Sequence, residues 1–377
     1  MLNSSKQLRV LHICQRDDIA TGGSVRVAAE YVKRLPNHEV DAHCLFLYGS
    51  PGYFQSELDK RAHYLNIKNS RDILKFGRLS KFLQQFQPQI IHHHDGLLWS
   101  HLLTFFHPGK IKIAHAHLGT QRKISLSRGA VAGWLQRQST NLLICISEYT
   151  RKNEIEQGGY LPNRTYVLYN GVDRHRFHPA TTTQRTIARK QLQLSNDVFV
   201  VGFVGRLHCA MKGTDDFLRI IALLPPNFWG LVVGSGADSE QLKQLAKMLN
   251  ISERVVFTGS IEKTITAYHA MDIFCLTSYW EPFGLVVGEA MACRVPVVAL
   301  SCTGGVNELL TKETGRLLSN RDLQKMAQIV VETLEKPETF RQLIINSELR
   351  LQENHNWDNN TLRLANLYKN LLFSSEY

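Results

Sequence analysis

Two glutamates with seven residues between them, Glu281 and Glu289, bracket the stretch Pro282-Phe283-Gly284-Leu285-Val286-Val287-Gly288. A carboxylate only accepts hydrogen bonds, so it suits a pair of sugar hydroxyls. Pro282 and Gly284 place Glu281 in a loop after the apolar run 273–276, and Glu289 on the helix that follows. The amides of Phe283, Gly284 and Leu285 fall near the start of that helix, where they can donate to an anion. The alternative is an exposed turn glutamate followed by a helix-surface glutamate. Glu289, however, lies among Val286, Val287, Ala290 and Met291, and an acid in apolar surroundings needs a partner. A functional pair is the better reading.

Gly205-Arg206-Leu207 and then Lys212-Gly213 follow the predicted strand 198–204. Arginine offers a fork and lysine a point charge, so together they can neutralise a diphosphate. The competing reading is a solvated surface pair. Thr21-Gly22-Gly23-Ser24 follows the first predicted strand. Glycines there let the backbone approach a ligand, and the helix start offers N–H groups to an anion. A plain tight turn is the other reading.

Histidines concentrate in His92-His93-His94-Asp95 and His115-Ala116-His117-Leu118-Gly119, each after a predicted strand. With a period of two, His92 and His94 share a face, as do His115 and His117. A metal site, satisfied core histidines and polar contacts to a substrate are the three readings. Only Asp95 offers a carboxylate at ligand spacing, and the chain contains no Asp-x-Asp, so no metal site is expected. There is no G-x-S-x-G elbow for a serine nucleophile and no Walker loop. Gly234-Ser235-Gly236 is a short glycine turn, too weak alone to assign.

Short β-branched runs alternate with longer amphipathic ones. Strands are expected near 8–14, 43–47, 89–93, 112–116, 142–146 and 166–168, and again near 198–204, 230–233, 254–257, 273–276 and 295–300. Between them the helical period appears at 24–35, where Val27, Ala28, Tyr31, Val32 and Leu35 form one face. Helices are also expected over 239–249 and 322–335. Such alternation implies parallel sheets with helices on both faces. It occurs on each side of an aperiodic polar stretch, 177–196, which reads as a linker. The chain of 377 residues is therefore expected to form two α/β domains facing across a cleft, with ligands outside the carboxyl ends of the strands.

Composition excludes several classes. Apolar residues make up 44% of the chain, enough for large cores and against wholesale disorder. No uncharged run is fit to span a membrane, and the short apolar stretch near the start does not read as a leader. The seven cysteines contain no C-x-x-C pair and suggest reduced, buried thiols in a cytoplasmic protein. The net charge of +11 is uneven: residues 1–180 hold 24 Lys and Arg against 13 Asp and Glu, whereas the remainder holds 20 of each. Between Asp95 and Glu148 there is no acid, only Lys110, Lys112, Arg122, Lys123, Arg128 and Arg137 as charged residues. The first half thus suits an anionic partner.

In order and spacing these motifs resemble family 4 of the retaining glycosyltransferases, and the resemblance covers nearly the whole chain. Gly22-Gly23 matches the family's early glycine pair. Asn170-Gly171-Val172-Asp173, with Arg176-Phe177 and Pro179, matches the segment closing its first domain. Gly205-Arg206-Leu207 with Lys212-Gly213 matches its diphosphate-binding arginine and lysine, and Glu281 to Glu289 its E-x7-E motif. Met291-Ala292 with Val295-Pro296-Val297-Val298, then Gly304-Gly305 and Glu308, complete the pattern. Ile113-Ala114-His115-Ala116-His117 is similar to the Ile-Ala-His-Ser-His of members that build capsular polysaccharides and exopolysaccharides. Cys293-Arg294 stands where the family commonly has a glycine before Val-Pro, for which only a local backbone change is expected.

The resemblance implies the GT-B fold: two Rossmann-like, doubly wound domains, an acceptor-side domain over 1–178 and a donor domain over 179–357. A C-terminal helix, about 358–377, is expected to pack back on the first. It implies metal-independent transfer of a hexosyl group, with retention, from a nucleotide-diphosphate sugar (UDP or GDP) to a glycan or lipid-linked acceptor in surface-polysaccharide synthesis, without a further cofactor. Arg206 and Lys212 would neutralise the leaving diphosphate. Glu281 and the amides of Phe283, Gly284 and Leu285 would hold the sugar, and Glu289 the ribose. His117, or else His115, would reach a sugar hydroxyl. Lys110, Lys112, Arg122 and Lys123 are candidates for an acceptor or an anionic membrane face, which would make the protein peripheral on the cytoplasmic side. A sugar phosphorylase or nucleotide-sugar epimerase would fit the same scaffold. A basic nucleic-acid-binding protein is a distant third, since aromatics are not interleaved with the basic residues.

Overall fold

The structure is a computed structural model that describes residues 7–18, 23–69, 71–72, 74–94, 98–107, 111–118 and 128–374. The chain divides into two compact units, Met1–Asn170 with Trp357–Tyr377, and Gly171–Asn356. The first unit ends at Asn170 rather than near 178, because Val172 and Phe177 pack into the second unit's core.

The first unit contains seven described strands: β1 (Leu8–Arg16), β2 (Val40–Tyr48), β3 (Ala62–Ile67), β4 (Ile90–His93), β5 (Ile111–Ala116), β6 (Leu142–Cys145) and β7 (Thr165–Val167). They form a parallel sheet in the order β3-β2-β1-β4-β5-β6-β7. The order reverses between β1 and β4, the switch point at which such sheets open a crevice. Alternate residues of β1 serve opposite faces. Val10 and Cys14 pack against Val27, Ala28, Tyr31 and Val32 of the helix Gly23–Arg34, and against Leu364, Ala365 and Tyr368 of the helix Trp357–Ser374. Leu11 and Ile13 pack against Leu79 and Leu83 of the helix Lys75–Phe86. Burial of such side chains is worth about 1.5–3 kcal/mol each, which is why the closing helix returns to this sheet.

The second unit's sheet runs β10 (Val255–Gly259), β9 (Phe228–Val233), β8 (Phe199–Val204), β11 (Ile273–Leu276), β12 (Val297–Ala299) and β13 (Arg316–Leu317), all parallel. It reverses between β8 and β11. The loops after these two strands carry the glycine-arginine and E-x7-E motifs.

The stretch 177–196 is not a linker. Residues Thr182–Gln191 form a helix opened by a capping box, in which Thr181 and Gln184 satisfy each other's backbone N–H groups. Arg189 on this helix donates to the carbonyls of Ala270, Ser195, Asn196 and Val198 and pairs with Asp272 at 2.6 Å. The helix thereby ties the entry of the second unit to β11. Arg294 adopts φ +57, the left-handed conformation that glycine takes without cost. An L-residue there carries roughly 1–2 kcal/mol of strain, and Arg294 is anchored by Glu348 at 2.9 Å.

Candidate active site

In the second unit, two strand-end loops meet backbone to backbone. Gly205 donates its N–H to the Val233 carbonyl, and Leu207 donates to that of Ser235, both at 3.0 Å. A Cβ at Gly234 would lie 1.9 Å from the Gly205 oxygen, and one at Gly236 would lie 2.1 Å from the Leu207 oxygen. No side chain fits at either position, so Gly234-Ser235-Gly236 is the seat of the Gly205-Arg206-Leu207 turn. Arg206 projects from that turn and is exposed.

The short helix Cys209–Lys212 ends at Gly213, with φ +59, where a Cβ would lie 2.1 Å from the Thr277 oxygen. The Tyr279 N–H bonds the Met211 carbonyl at 2.9 Å, and the Thr277 hydroxyl donates to that of Lys212 at 3.1 Å. Lys212 is thus clamped against the loop after β11. Its Nζ stands 2.5 Å from Glu281 Oε2, and Ser278 Oγ donates to the same oxygen at 3.2 Å. Both contacts use Oε2, which leaves Oε1 as a further acceptor. Glu281 is itself fixed by its N–H on the Thr303 carbonyl, at 2.9 Å. Arg321 braces this loop from outside the motif. It lies over the Tyr279 ring at 3.6 Å, donates to the Thr277 carbonyl at 2.8 Å and pairs with Asp216 at 2.6 Å.

Gly284, with φ +84, opens the helix Leu285–Ala292. The amides of Val287 and Gly288 both return to the Gly284 carbonyl, at 2.9 and 3.2 Å. Those of Leu285 and Val286 therefore precede the helix's first bond and have no acceptor within it. Glu289, half-buried on this helix, accepts the Tyr268 hydroxyl at 2.8 Å. Burial, reinforced by the carboxylate, holds the Tyr268 pKa well above its ordinary value, so Tyr268 stays a donor. This is the partner that the apolar setting demanded. Tyr268, Ser278 and Arg321 carry no motif signal in the sequence.

The first unit gathers a second group of residues. Gly23 is the first residue of the helix Gly23–Arg34; Gly22 lies outside the described residues. Lys112 is half-buried on β5, while Lys110, Arg122 and Lys123 also lie outside the described residues. Register places His12 of β1 opposite His92 of β4, and the five rings of His12, His92, His94, His115 and His117 lie together. His12 Nδ1 is 2.9 Å from His94 Nε2, and His94 Nδ1 is 3.1 Å from His117 Nε2. The Tyr368 hydroxyl bridges His92 Nδ1 at 2.6 Å and His12 Nε2 at 3.4 Å. His115 stacks on His117, with ring centroids 4.4 Å apart. His93 turns to the other face and stacks on His101.

Burial pushes the pKa of His12 and of His117 down to about 3, and drives those of His92, His94 and His115 well below the ordinary range, with neighbouring imidazoles adding to the effect on the last three. The rings are neutral at pH 7. They are not simply satisfied core histidines. His92 Nε2 and both ring nitrogens of His115 are buried without a hydrogen-bond partner, at a cost of about 1–3 kcal/mol each. His117 alone of the five is half-buried rather than buried.

Residues 21–176 match the family model described as Glycosyltransferase Family 4, and residues 184–350 the one described as Glycosyl transferases group 1. A GDP-mannose-dependent monoacylated alpha-(1-6)-phosphatidylinositol monomannoside mannosyltransferase of Corynebacterium glutamicum is 31% identical over 242 residues, covering 58% of this chain and 62% of its own. The lipopolysaccharide core biosynthesis mannosyltransferase LpsB of Rhizobium meliloti is 32% identical over 225 residues, covering 56% and 63%. The chain thus spans under two-thirds of the length of these relatives. Among solved structures, Anabaena Alr3699/HepE in complex with UDP-glucose superposes with a TM-score of 0.82 at 23% identity, covering 96% of this chain and 100% of that one. That likeness concerns the fold.

Proposed function

The chain belongs to glycosyltransferase family 4 and has the GT-B fold, and from that premise we propose that it moves a hexosyl group from a nucleotide-diphosphate sugar to a glycan or lipid-linked acceptor in surface-polysaccharide synthesis. The observation that carries the reading is the Lys212–Glu281 ion pair in the loops at the carboxyl end of the second sheet, on the segment that leads to Glu289. In this reading Lys212 and Arg206 take up the charge that develops on the departing diphosphate, the main barrier a protein can lower here. Glu281 and the amides of Phe283, Gly284 and Leu285 hold the sugar. Glu289 accepts the ribose hydroxyls. His117 is the histidine assigned to a sugar hydroxyl; its lesser burial supports it over the buried His115. Attack from the face the diphosphate leaves gives retention without a covalent enzyme intermediate. No cofactor beyond the nucleotide sugar is required.

UDP or GDP is the nucleotide we favour. The Corynebacterium relative is GDP-mannose-dependent, and the Anabaena structure holds UDP-glucose. A thermal-shift panel of UDP-, GDP- and ADP-sugars tests the reading. A true donor at a hundred times its Kd is expected to add about 2.7 kcal/mol of stability. If no nucleotide sugar shifts the transition, the donor role is lost.

The same proposal extends to a peripheral position on an anionic membrane face. Its support is the basic excess confined to residues 1–180, together with Phe106 and Trp134, which are 74% and 52% exposed in the first unit. No helix among the described residues is long and apolar enough to cross a membrane. The chain is expected to sediment with acidic vesicles at low salt and to be released as the Debye length falls from about 10 Å at 0.1 M to about 3 Å at 1 M. Indifference to vesicle charge would point instead to a soluble anionic acceptor.

A further inference from the structure

The transfer reading uses one imidazole of the first unit, yet five are packed together. Two triads, His12–His92–His94 and His94–His115–His117, each bring one ring nitrogen per residue within 4.8 Å of the others. Histidines kept only for packing would donate to a carbonyl or hydroxyl, whereas neither nitrogen of the buried His115 has a partner. We propose that His94, His115 and His117 bind one borderline divalent transition-metal ion, zinc in the first instance, through one ring nitrogen each, with the fourth position on the side of the half-buried His117.

The geometry and the protons both allow it. The 3.1 Å between His94 Nδ1 and His117 Nε2 is close to the roughly 3.3 Å that separates two ligands on a tetrahedron with Zn–N of about 2.0–2.1 Å. His117 carries its proton on Nδ1 in that state, which frees Nε2 for the ion and leaves the Nδ1–H for the sugar hydroxyl of the transfer reading. With His94 Nδ1 on the ion, its Nε2–H donates to His12 Nδ1 at 2.9 Å. His12 Nε2–H then donates to the Tyr368 hydroxyl at 3.4 Å, and that hydroxyl donates to His92 Nδ1 at 2.6 Å. Such a chain behind a ligating histidine fixes its tautomer and orientation. His12, Tyr368 and His92 therefore support the site, and the triad nearer solvent holds the ion. Three imidazoles suit zinc, cobalt, nickel or copper rather than magnesium or calcium. The ion is thus distinct in kind from one that neutralises a diphosphate.

Metal uptake by the full, tag-free chain tests this, after stripping with chelator at neutral pH. With Co2+ as the probe, one ion per chain is expected, with the visible absorption of tetrahedral nitrogen coordination, and Zn2+ is expected to displace it. His115→Phe, which keeps a ring in the core, and His117→Gln, at the half-buried edge, are each expected to abolish that spectrum. Tyr368→Phe is expected to weaken binding roughly 10–100-fold. His63→Asn, in the separate His43–His63 pair of the same sheet, is expected to leave binding intact. Circular dichroism reports folding, and His117→Gln keeps the test decidable should His115→Phe not fold. Absence of stoichiometric uptake, survival of the spectrum in folded His117→Gln, or its loss in His63→Asn overturns the proposal.

Discussion

Lys212→Ala is expected to lower kcat by about two to three orders of magnitude, the usual consequence of removing one preorganised group from a centre of developing charge. Lys212 is held in place by its own backbone: Gly213 packs on the Thr277 carbonyl, and the Met211 and Lys212 carbonyls accept bonds from Tyr279 and Thr277. A charge fixed this way needs no reorganisation when the diphosphate departs. Arg206→Ala should act in the same direction, and Lys212→Arg should not restore full turnover, because a planar fork does not occupy the place of a compact ammonium. One complication is stability. Breaking a buried pair costs about 3–5 kcal/mol; Lys212 and Glu281 keep 16% and 11% of their side-chain surface exposed, so their cost belongs at or below the low end. The double variant Lys212→Met, Glu281→Gln removes both charges, and is expected to regain stability while turnover stays low. Wild-type turnover is expected to survive excess chelator. A kcat within threefold of wild type in Lys212→Ala, or activity abolished by chelation and restored by magnesium, would falsify the assignment.

Donor binding should weaken by about 10–150-fold in Glu289→Gln, which corresponds to the roughly 1.5–3 kcal/mol carried by a charged hydrogen bond. The fold should be kept, because the amide oxygen of glutamine can still accept the Tyr268 hydroxyl that now reaches Glu289 Oε2 at 2.8 Å. The loss is thereby confined to charge. Tyr268→Phe should have a smaller effect on affinity, since it frees a carboxylate oxygen without neutralising it. Titration calorimetry with the donor found in the thermal-shift panel decides the matter. Equal affinity in wild type and Glu289→Gln means that another group anchors the ribose.

Much of the fold was legible because its signals are local. The helix over 24–35 appears as Gly23–Arg34 followed by a turn that starts at Leu35, since the 3.6-residue spacing of Val27, Tyr31 and Leu35 is set within one element. Two strands escaped. β3 (Ala62–Ile67) has only two buried residues, as an edge strand needs little apolar alternation. β13 is two residues long. The helix over 182–191 was hidden by its polar, β-branched start, although Thr181 followed by Gln184 is itself a start signal.

Sequence alone determined what depends on residue type and near spacing: two parallel α/β units, the glycine-arginine and lysine-glycine motifs after β8, and a carboxylate pair with seven residues between after β11. The resemblance also marked Cys293-Arg294 as a departure, and the structure places the left-handed φ of +57 at Arg294. Tertiary structure decided which groups meet. Lys212 and Glu281 are 69 positions apart, and they touch because β8 and β11 are sheet neighbours. His92 meets Tyr368 across 276 positions, because the last helix must bury Leu364, Ala365 and Tyr368 somewhere and the first sheet offers the apolar face. The two short histidine runs looked like separate features. Parallel register set His12, His92 and the strand bearing His115 side by side, and that turned a pattern of residue types into one cluster of neutral imidazoles. No pattern along the chain encodes such a meeting, since it follows from the order in which strands pair.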